Sequence, residues 1–546
     1  MKMCAALAVI LVACISLAQQ PEAARPVSLM DGLGNLHHPV STKNAEAQKF
    51  FDQGLRLVYA FNHEEAARSF RRAAELDPQL AMAWWGVALA VGPNYNLPVD
   101  PEHEKIAADA VAKAKALEGN SAQVERDYIE AIGSRFSSDA KPDYHQLDVN
   151  YSKAMAALTH NYPDDLDAAT LYADSLMNLR PWKLWKADGT PAEGTNEIVA
   201  TLEGVLQREP DHIGAMHLYI HAVEASTNPE RALPYANRIA ALAPAAGHLV
   251  HMPAHIYERT GNFDGARVQN EAAAKADEAY AASTGQQGMY MMMYYSHNLH
   301  FGAVSASMQG HCGDAISQAG RLAQNLRPMA SDPQMGAMVE PFMGMQYAMA
   351  VRCGRWDAML AQAEPQAHTS ALKAFWLYGR GMALAAGGKV DEADAVAKEL
   401  STVERATARD DIFMPPVENH SWQIYRIASD ILGARIAAAR GNQEKAIGLL
   451  QDAVTNQDQL LYNEPSDWYF PVREALGGIL LRSGDAKAAE QVFRDDLKLN
   501  PRNPRSLFGL SESLTRQHRD YDASWVKQQF DAAWQGADVT LKVEDL

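Results

Sequence analysis

Apolar residues recur along most of the chain at the spacing of about 3.6 residues that places one face of a helix against a core. The pattern predicts one helical hairpin, from Ala45 to Tyr59 and from Glu64 to Leu76, and the start of another from Leu80 to Val91. No alternation of apolar and polar residues is long enough to predict a useful strand. Proline and glycine cluster at three predicted loops or insertions: Gly92 to Pro101, Asn178 to Gly194 and Pro415-Pro416.

The predicted helices follow a repeat. A tetratricopeptide repeat spans about 34 residues and carries an alanine in its second helix and a closing proline. Three stretches keep these two residues twelve positions apart: Ala66 and Pro78, Ala232 and Pro244, Ala489 and Pro501. A single helix pair cannot bury its own apolar stripe, so successive pairs must stack. The sequence therefore predicts an all-α fold, a tetratricopeptide-repeat-like, right-handed α-solenoid of antiparallel helix pairs.

The first residues resemble an export signal. Lys2 precedes a short apolar stretch that ends in the small-residue pattern Ser16-Leu17-Ala18. A lipobox-like Leu11-Val12-Ala13-Cys14 leaves a second interpretation open, in which Cys14 carries a lipid anchor. We expect a periplasmic protein or, alternatively, an outer-membrane lipoprotein. The predicted organisation is a signal peptide at 1–18 (or a lipoprotein signal at 1–13), an extended segment at 19–43, N-terminal helix pairs at 44–160, a central array at 161–405 and a C-terminal array at 406–546.

Composition and charge limit the classes of function that the sequence can have. Apolar residues make up 47% of the 546 residues, enough to bury a core. The net charge of −18 argues against nucleic acid as a partner, because phosphate binding needs a basic surface. No apolar run after the leader is long enough to predict a membrane span. Outside the leader only Cys312 and Cys353 remain, and the sequence leaves open whether they pair or stay as buried thiols.

Histidines are concentrated in the centre of the chain. Eight of the eighteen fall between His212 and His300. A shift of 34 residues superimposes His217 on His251 and His221 on His255. The imidazoles therefore occupy repeated positions in the first helices of successive repeats.

The next repeats extend this pattern. A shift of 49 residues puts His248 on His297 and His251 on His300, and a further 43 puts Glu340 in the place of His297. Residues spaced i, i+3, i+7 and i+10 lie along one side of a helix. First helices line the concave groove of a tetratricopeptide superhelix, so the resemblance to that repeat implies that this side faces a groove. The predicted groove wall consists of His217, His221, Glu224, His248, His251, His255, Glu258, His297, His300 and Glu340. Asn463-Glu464 is predicted to extend this polar groove.

Neutral imidazoles beside carboxylates are the donors that a transition metal such as Zn, Fe or Cu takes. Each His-x3-His pair offers two nitrogens one helical turn apart, and the next first helix lies about 10 Å away. Neither His217 nor His251 is followed by the glutamate of a zincin, which excludes that protease class. Two other interpretations stay open: the groove binds a peptide or small polar ligand through hydrogen bonds, or the histidines are structural.

Several strings resemble a group of exported bacterial tetratricopeptide-repeat proteins. They are His217-Leu218-Tyr219-Ile220-His221, His248 to Tyr257 (His-Leu-Val-His-Met-Pro-Ala-His-Ile-Tyr) and His297-Asn298-Leu299-His300-Phe301. The resemblance implies the fold and a bacterial envelope setting, and it implies no established reaction. Repeat proteins of this type are usually interaction scaffolds. Two hypotheses follow: a metal-binding protein, catalytic if one coordination position stays open, and a non-enzymatic scaffold for a peptide or partner protein.

Overall fold

A computed structural model describes residues 26–137, 139, 141–415 and 417–546. The predicted signal peptide, the lipid anchor at Cys14 and Pro416 of the predicted loop lie outside the described residues. The described chain is mostly helical, and consecutive helices pair and stack as an all-α tetratricopeptide-like solenoid. The predicted fold class is confirmed.

The N-terminal part begins as the apolar pattern predicts, with helices at Ala45–Tyr59, His63–Leu76 and Ala81–Val91. The repeat pattern is weak between residues 95 and 161. Three helices lie in that stretch. The helices are α1 (Ala45–Tyr59), α2 (His63–Leu76), α3 (Ala81–Val91), α4 (Pro101–Leu117), α5 (Gln123–Gly133), α6 (Tyr144–Asn161), α7 (Leu166–Met177) and α8 (Thr195–Arg208).

The central part carries the histidine-rich repeats. Its helices are α9 (Ile213–Glu224), α10 (Leu233–Leu242), α11 (Gly247–His251), α12 (Pro253–Arg259), α13 (Phe263–Thr284), α14 (Ser296–Met308), α15 (Cys312–Leu326), α16 (Pro333–Met343), α17 (Met345–Arg352), α18 (Trp356–Leu360), α19 (Ser370–Ala386) and α20 (Val390–Ala406). The two cysteines pair in a disulfide across this part, with the Cα atoms of Cys312 and Cys353 5.6 Å apart.

The C-terminal part opens with a feature that the pattern misses. A short antiparallel hairpin, β1 (Ile412–Met414) and β2 (Val417–His420), flanks the predicted proline loop. Its strands have three and four residues, too few for an alternating pattern to show. The helices that follow are α21 (Ser421–Ala439), α22 (Gln443–Gln457), α23 (Val472–Arg482), α24 (Ala486–Leu499), α25 (Pro504–Arg516) and α26 (Asp520–Ala533).

Local chemistry explains the repeated turns between helices. Gly261 has φ of +76°, a left-handed conformation that glycine adopts without steric cost. Asn262 follows, and its side chain accepts from the backbone N–H of Gly265 and so caps α13. Gly441 and Asn442 repeat this arrangement at the start of α22. In both turns the Gly-Asn pair therefore marks the end of one helix and the cap of the next.

Small residues let the stacked helices approach closely. A Cβ atom added to Gly54 would lie 2.6 Å from the ring of Phe70, and one added to Gly86 would lie 2.3 Å from it. Phe70 of α2 is thus clamped between α1 and α3. No helix in the described part of the chain is long and apolar enough to cross a membrane.

Distant repeats also touch the central one. The backbone carbonyl of Tyr59, at the end of α1, accepts a hydrogen bond from His217 on α9. Glu464, in the segment between α22 and α23, contacts His255 on α12 across 209 positions of sequence. Segments from the N-terminal and the C-terminal parts therefore contact the first helices of the central repeats, where the histidines lie.

Candidate metal centre

Six histidines form one continuous cluster between adjacent first helices. They come from α9, from the α11–α12 segment and from α14, and neighbouring ring centroids lie 4.6–5.7 Å apart in the closest contacts. The members of this central cluster are His217, His221, His248, His251, His255 and His297. Successive first helices thus stand in register, as the repeat spacing predicts.

Two irregularities of the backbone shape the cluster. Pro253 has no N–H to donate, and the first helix of this repeat is divided there into α11 and α12. A π-helical segment, Met291–Tyr295, leads into α14 just before His297. Such π segments change the direction of the side chains that follow them and are frequent at functional sites.

The cluster divides into two trios. His217, His221 and His248 have ligand atoms that all lie within 4.8 Å of one another. So do His251, His255 and His297. We call these the first and the second trio. Each combines a His-x3-His pair, on α9 in the first trio and across the break between α11 and α12 in the second, with a histidine from the beginning of a neighbouring element.

The Nδ1 atoms of the two His-x3-His pairs face oxygen atoms. Metal-bound histidines show this arrangement, because an oxygen that accepts from one ring nitrogen leaves the other nitrogen free as a ligand. The contacts are His217 with the Tyr59 carbonyl at 2.6 Å, His221 with Glu224 Oε1 at 2.9 Å, His251 with Asn270 Oδ1 at 2.5 Å and His255 with Glu224 Oε2 at 2.7 Å.

The Nε2 atoms face one another instead. Those of His251 and His255 are 2.7 Å apart, and those of His217 and His248 are 3.0 Å apart. Asn270 Nδ2 donates to the Ala266 carbonyl, so its Oδ1 is the acceptor and His251 Nδ1 must donate. When His255 Nδ1 donates to its carboxylate neighbours as well, two Nε2 lone pairs point at each other.

Burial keeps the imidazoles neutral. All except the partly exposed His297 are at most 3% exposed. Burial, and then the neighbouring histidines, lower the pKa of His251 and His255 well below 6.5, and burial lowers the pKa of His221 and His297 to about 3. The neutral ring is the form that binds a metal.

Two buried carboxyl groups lie between the trios. Glu224 contacts His221 through one oxygen and His255 through the other. Glu464 also contacts His255 Nδ1. Burial raises the pKa of both glutamates, and their proximity raises that of Glu464 further.

The remaining predicted residues lie apart from the trios. His300 packs on Phe342 and Tyr469, with ring centroids 5.2 and 5.4 Å away, and neither of its nitrogens has a hydrogen-bond partner. Glu258 accepts from the Ser305 hydroxyl, and burial raises its pKa to about 8.

Glu340 has a structural task. Its carboxylate accepts from the backbone N–H groups of His368 and Thr369, at 2.6 and 2.7 Å, and from the Thr369 hydroxyl. Those contacts hold the start of α19, so Glu340 is not placed with the histidines. The alignment of Glu340 with His297 does not anticipate this, because it carries no information about the loop before α19.

The expectation of an open groove wall also needs correction. The C-terminal end of α1 and the segment between α22 and α23 pack against the first helices of the central repeats, so the cluster is buried. Tyr59, Asn270 and Phe61, which stacks on His248 at 5.4 Å, complete its surroundings and have no signal in the repeat pattern. Glu464 was expected only as an extension of the polar groove.

A cavity of about 860 Å³ reaches the cluster from one side. Its lining includes His255, Glu258 and Glu464, together with Trp182, Trp468 and Tyr469. This volume is in the range of cavities that hold small molecules. The second trio therefore has a route to solvent and to a ligand.

The donors fit a transition metal. Zinc holds imidazole nitrogens at about 2.0–2.1 Å, so two nitrogens bound to one tetrahedral ion lie about 3.3–3.4 Å apart. The Nε2 pairs at 2.7 and 3.0 Å are close to that value. Three histidines on one ion would leave a fourth position open, which is typical of catalytic zinc.

No protein-family model and no curated protein matches the chain. Solved structures similar to it include the APC/C hetero-tetramer Cut9-Hcn1, at 13% identity over 91% of this chain and 78% of that chain with a TM-score of 0.29. The human IFIT1 dimer with m7Gppp-AAAA has 12% identity over 92% of each chain and a TM-score of 0.31. The P58(IPK) TPR domain has 12% identity over 87% of this chain and 99% of that chain, with a TM-score of 0.23.

Proposed function

We propose that the protein binds a transition metal ion, zinc, iron or copper, in the central cluster, and that the ion serves a reaction in the adjoining cavity. One observation carries the proposal: the Nε2 atoms of His251 and His255 face each other at 2.7 Å, while their Nδ1 atoms face oxygens. Two lone pairs at this distance repel. A cation bound to both removes the repulsion with every other contact in place.

A proton can relieve the same repulsion in the metal-free protein. If Glu224 or Glu464 holds a proton and donates it to His255 Nδ1, the His255 ring can donate from Nε2 to His251. That arrangement would make the cluster structural. The two states differ in whether the purified protein binds a metal, so metal analysis separates them.

The surroundings favour a catalytic ion over a purely structural one. Structural zinc is closed by four protein ligands, whereas each trio supplies three histidines. The cavity reaches His255, and Glu258 also lines the cavity, as a carboxyl group that could hold a proton near a bound substrate. When bound, the ion would act as a Lewis acid or activate water. The chain's own residues orient the imidazoles and shield them from bulk water.

The test is metal analysis of the full-length protein, purified, stripped with a chelator and dialysed against zinc. We expect stoichiometric tightly bound zinc in the wild type and a clear loss in the double variant His251→Ala plus His255→Ala. Circular dichroism checks that the variant is folded. Wild-type protein that stays free of zinc, iron and copper after reloading would overturn the proposal.

The setting is part of the proposal. We place the mature protein in the bacterial periplasm, by release or by a lipid anchor at Cys14. The pairing of Cys312 with Cys353 supports an oxidising compartment, since such bonds are rare in the cytosol. Protein recovered only from the cytoplasmic fraction of its native cell would contradict this placement.

A second candidate is a scaffold whose cavity holds a short peptide or small polar ligand without a metal. The lining favours it, because Trp182, Trp185 and Trp468 stand beside charged groups such as Lys183 and Arg473. These tryptophans report on the cavity, so short peptides can be titrated by fluorescence. Saturable binding that is equal in stripped and zinc-loaded protein would favour the scaffold, and binding that needs zinc would count against it.

A further inference from the structure

Resting on the proposed function, we infer that the central cluster holds two metal ions, one in each trio, and that Glu224 orients a histidine of the first trio. The trios are copies of each other. The same shift of 34 residues that relates His217 to His251 relates His221 to His255. The third members, His248 and His297, correspond through the next repeat.

A single ion cannot use all six imidazoles. Structural and catalytic zinc sites take four ligands, and an ion in the second trio would use three of the six rings. The first trio would then keep its own unsatisfied atoms. His221 Nε2 and His248 Nδ1 are buried and find no hydrogen-bond partner among the described residues, and His217 Nε2 faces His248 Nε2 at 3.0 Å.

The first trio also has a fixed donor direction. His217 Nδ1 faces the backbone carbonyl of Tyr59, which can only accept. The Nε2 atom of His217 is therefore a lone pair directed into the trio. It has the same role as His251 Nε2 in the second trio, where the acceptor is Asn270 instead.

Glu224 connects the two trios. Its Oε1 lies 2.9 Å from His221 Nδ1 and its Oε2 lies 2.7 Å from His255 Nδ1. A carboxylate that accepts from the outer nitrogen of a bound histidine fixes the ring and raises its basicity. Glu224 does so for His221, which makes it a positioning residue of the first trio, whereas the hydrogen bond of His255 Nδ1 goes to Glu464.

A different arrangement can be built from the same groups. His221, Glu224 and His255 also have ligand atoms within 4.8 Å of one another. A single ion bound there through the Nδ1 atoms would use Glu224 as a direct ligand. The two arrangements predict different metal counts and different effects of Glu224→Gln.

The experiment counts zinc per full-length chain after stripping and reloading, by elemental analysis and by titration against a chelator of known affinity. We expect two ions in the wild type and one in each trio variant, His217→Gln plus His248→Gln and His251→Gln plus His255→Gln. His300→Gln is the matched control, a buried histidine of α14 outside both trios, and should keep two ions. Glu224→Gln should keep two ions and bind the one in the first trio about 10–100-fold more weakly.

Each other outcome is decisive. One ion in the wild type, lost completely in Glu224→Gln, would show a single shared site and overturn the inference while the proposed function stands. Two ions that are both lost in either trio variant would also overturn it, because the trios would not be separate sites. No metal in the wild type would remove the proposed function as well. The wild-type count decides between one and two ions even if a variant fails to fold.

Discussion

Two histidine clusters lie on opposite sides of Tyr59, and they differ in the groups that their imidazole nitrogens face. The carbonyl of Tyr59 accepts from His217 of the central cluster, while its phenol donates to Asp167 Oδ1 at 2.7 Å. Asp167 also contacts His38 Nδ1 at 2.8 Å and His212 Nε2 at 3.2 Å. We call Asp167, His38, His212 and Tyr59 the N-terminal cluster.

In the N-terminal cluster both imidazoles, those of His38 and His212, lie beside the carboxylate of Asp167. The hydrogen bonds and charges of His212 and His38 outweigh burial and hold the pKa of Asp167 well below its usual range. His38, Asp165 and Asp167 are close enough for an ion, yet Asp165 caps α7 and accepts from the Tyr128 hydroxyl. The hydrogen bonds of His38 and Tyr59 to Asp167 fasten the segment before α1 and the end of α1 to α7, and His212, the N-cap of α9, lies beside the same carboxylate.

In the part of the chain that the structure describes, two carboxyl groups contact the six imidazoles of the central cluster, those of Glu224 and Glu464. Its rings therefore face each other rather than an acid. Burial alone does not distinguish a ligand site from a structural network, since both clusters are buried. Imidazole nitrogens that point at one another, with oxygens behind them, make the difference.

Removing the acid of the N-terminal cluster should have the largest effect on stability. Asp167→Asn leaves His38 and His212 without their buried carboxylate, and breaking such a pair costs about 3–5 kcal/mol. We expect urea unfolding to show this loss while zinc binding stays within threefold of wild type. A zinc affinity that collapses in this variant would contradict the separation of the two clusters.

Tyr59→Phe separates the two roles of one residue. It removes the phenol that donates to Asp167 and keeps the backbone carbonyl that accepts from His217. We expect a loss of about 1.5–3 kcal/mol, the usual contribution of a hydrogen bond to a charged group. Urea unfolding measures the loss, and unchanged zinc affinity is the result that the comparison requires.

Asn270→Leu should affect the central cluster with little change elsewhere. The substitution removes the acceptor behind His251 Nδ1, so zinc should bind about 10–100-fold more weakly. Competition with a chelator measures this. Asn503→Leu, at another fully buried asparagine, is the matched control, and an equal loss of affinity there would show a general effect of destabilisation.

The pH dependence of stability should have opposite signs in the two clusters. Burial lowers the pKa of His38, but the hydrogen bond to Asp167 and the charges of Asp167, Asp165 and Asp52 outweigh it, so the pKa is raised above 6.5. Its contribution is therefore complete below pH 6.5 and is lost as the pH rises through the folded-state value. The central imidazoles have lowered pKa values, so in zinc-free protein their contribution is lost as the pH falls below 6.5.

The variant His38→Gln isolates the contribution of His38 to the pH dependence of stability, which is the smaller of the two effects. Its free energy of unfolding should fall less than that of the wild type between pH 6.5 and 8.5, because the group that loses its proton is gone. Urea unfolding of zinc-free protein at several pH values measures the difference. Parallel profiles for the two proteins would show that folding does not raise the pKa of His38.

Short-range features of the fold follow from the sequence. The predicted bounds of α1 and the end of α3 agree with the structure, because helical period, caps and turns depend on nearby residues. The register of His217 with His251 is predictable for the same reason: neighbouring repeats stack with a constant offset.

Contacts between distant repeats do not follow from such rules. Glu464 reaches His255 because the α22–α23 segment packs against the central repeats, and the Tyr59 carbonyl reaches His217 from the other end. Glu340 shows the opposite kind of error. It stands at a repeated position, but its carboxylate accepts from the backbone N–H groups just before α19 and does not join the histidines. A repeat pattern that relates only neighbouring repeats therefore predicts neither the burial of the central cluster nor the carboxyl groups that contact it.

Anomalous diffraction at the zinc absorption edge from crystals of the zinc-loaded, full-length protein tests the central claim most directly. We predict an anomalous peak among the imidazoles of His251, His255 and His297, about 2.0–2.1 Å from the coordinating nitrogens. Crystals of zinc-soaked protein that show no peak in the central cluster, with the rings still facing each other, would contradict it.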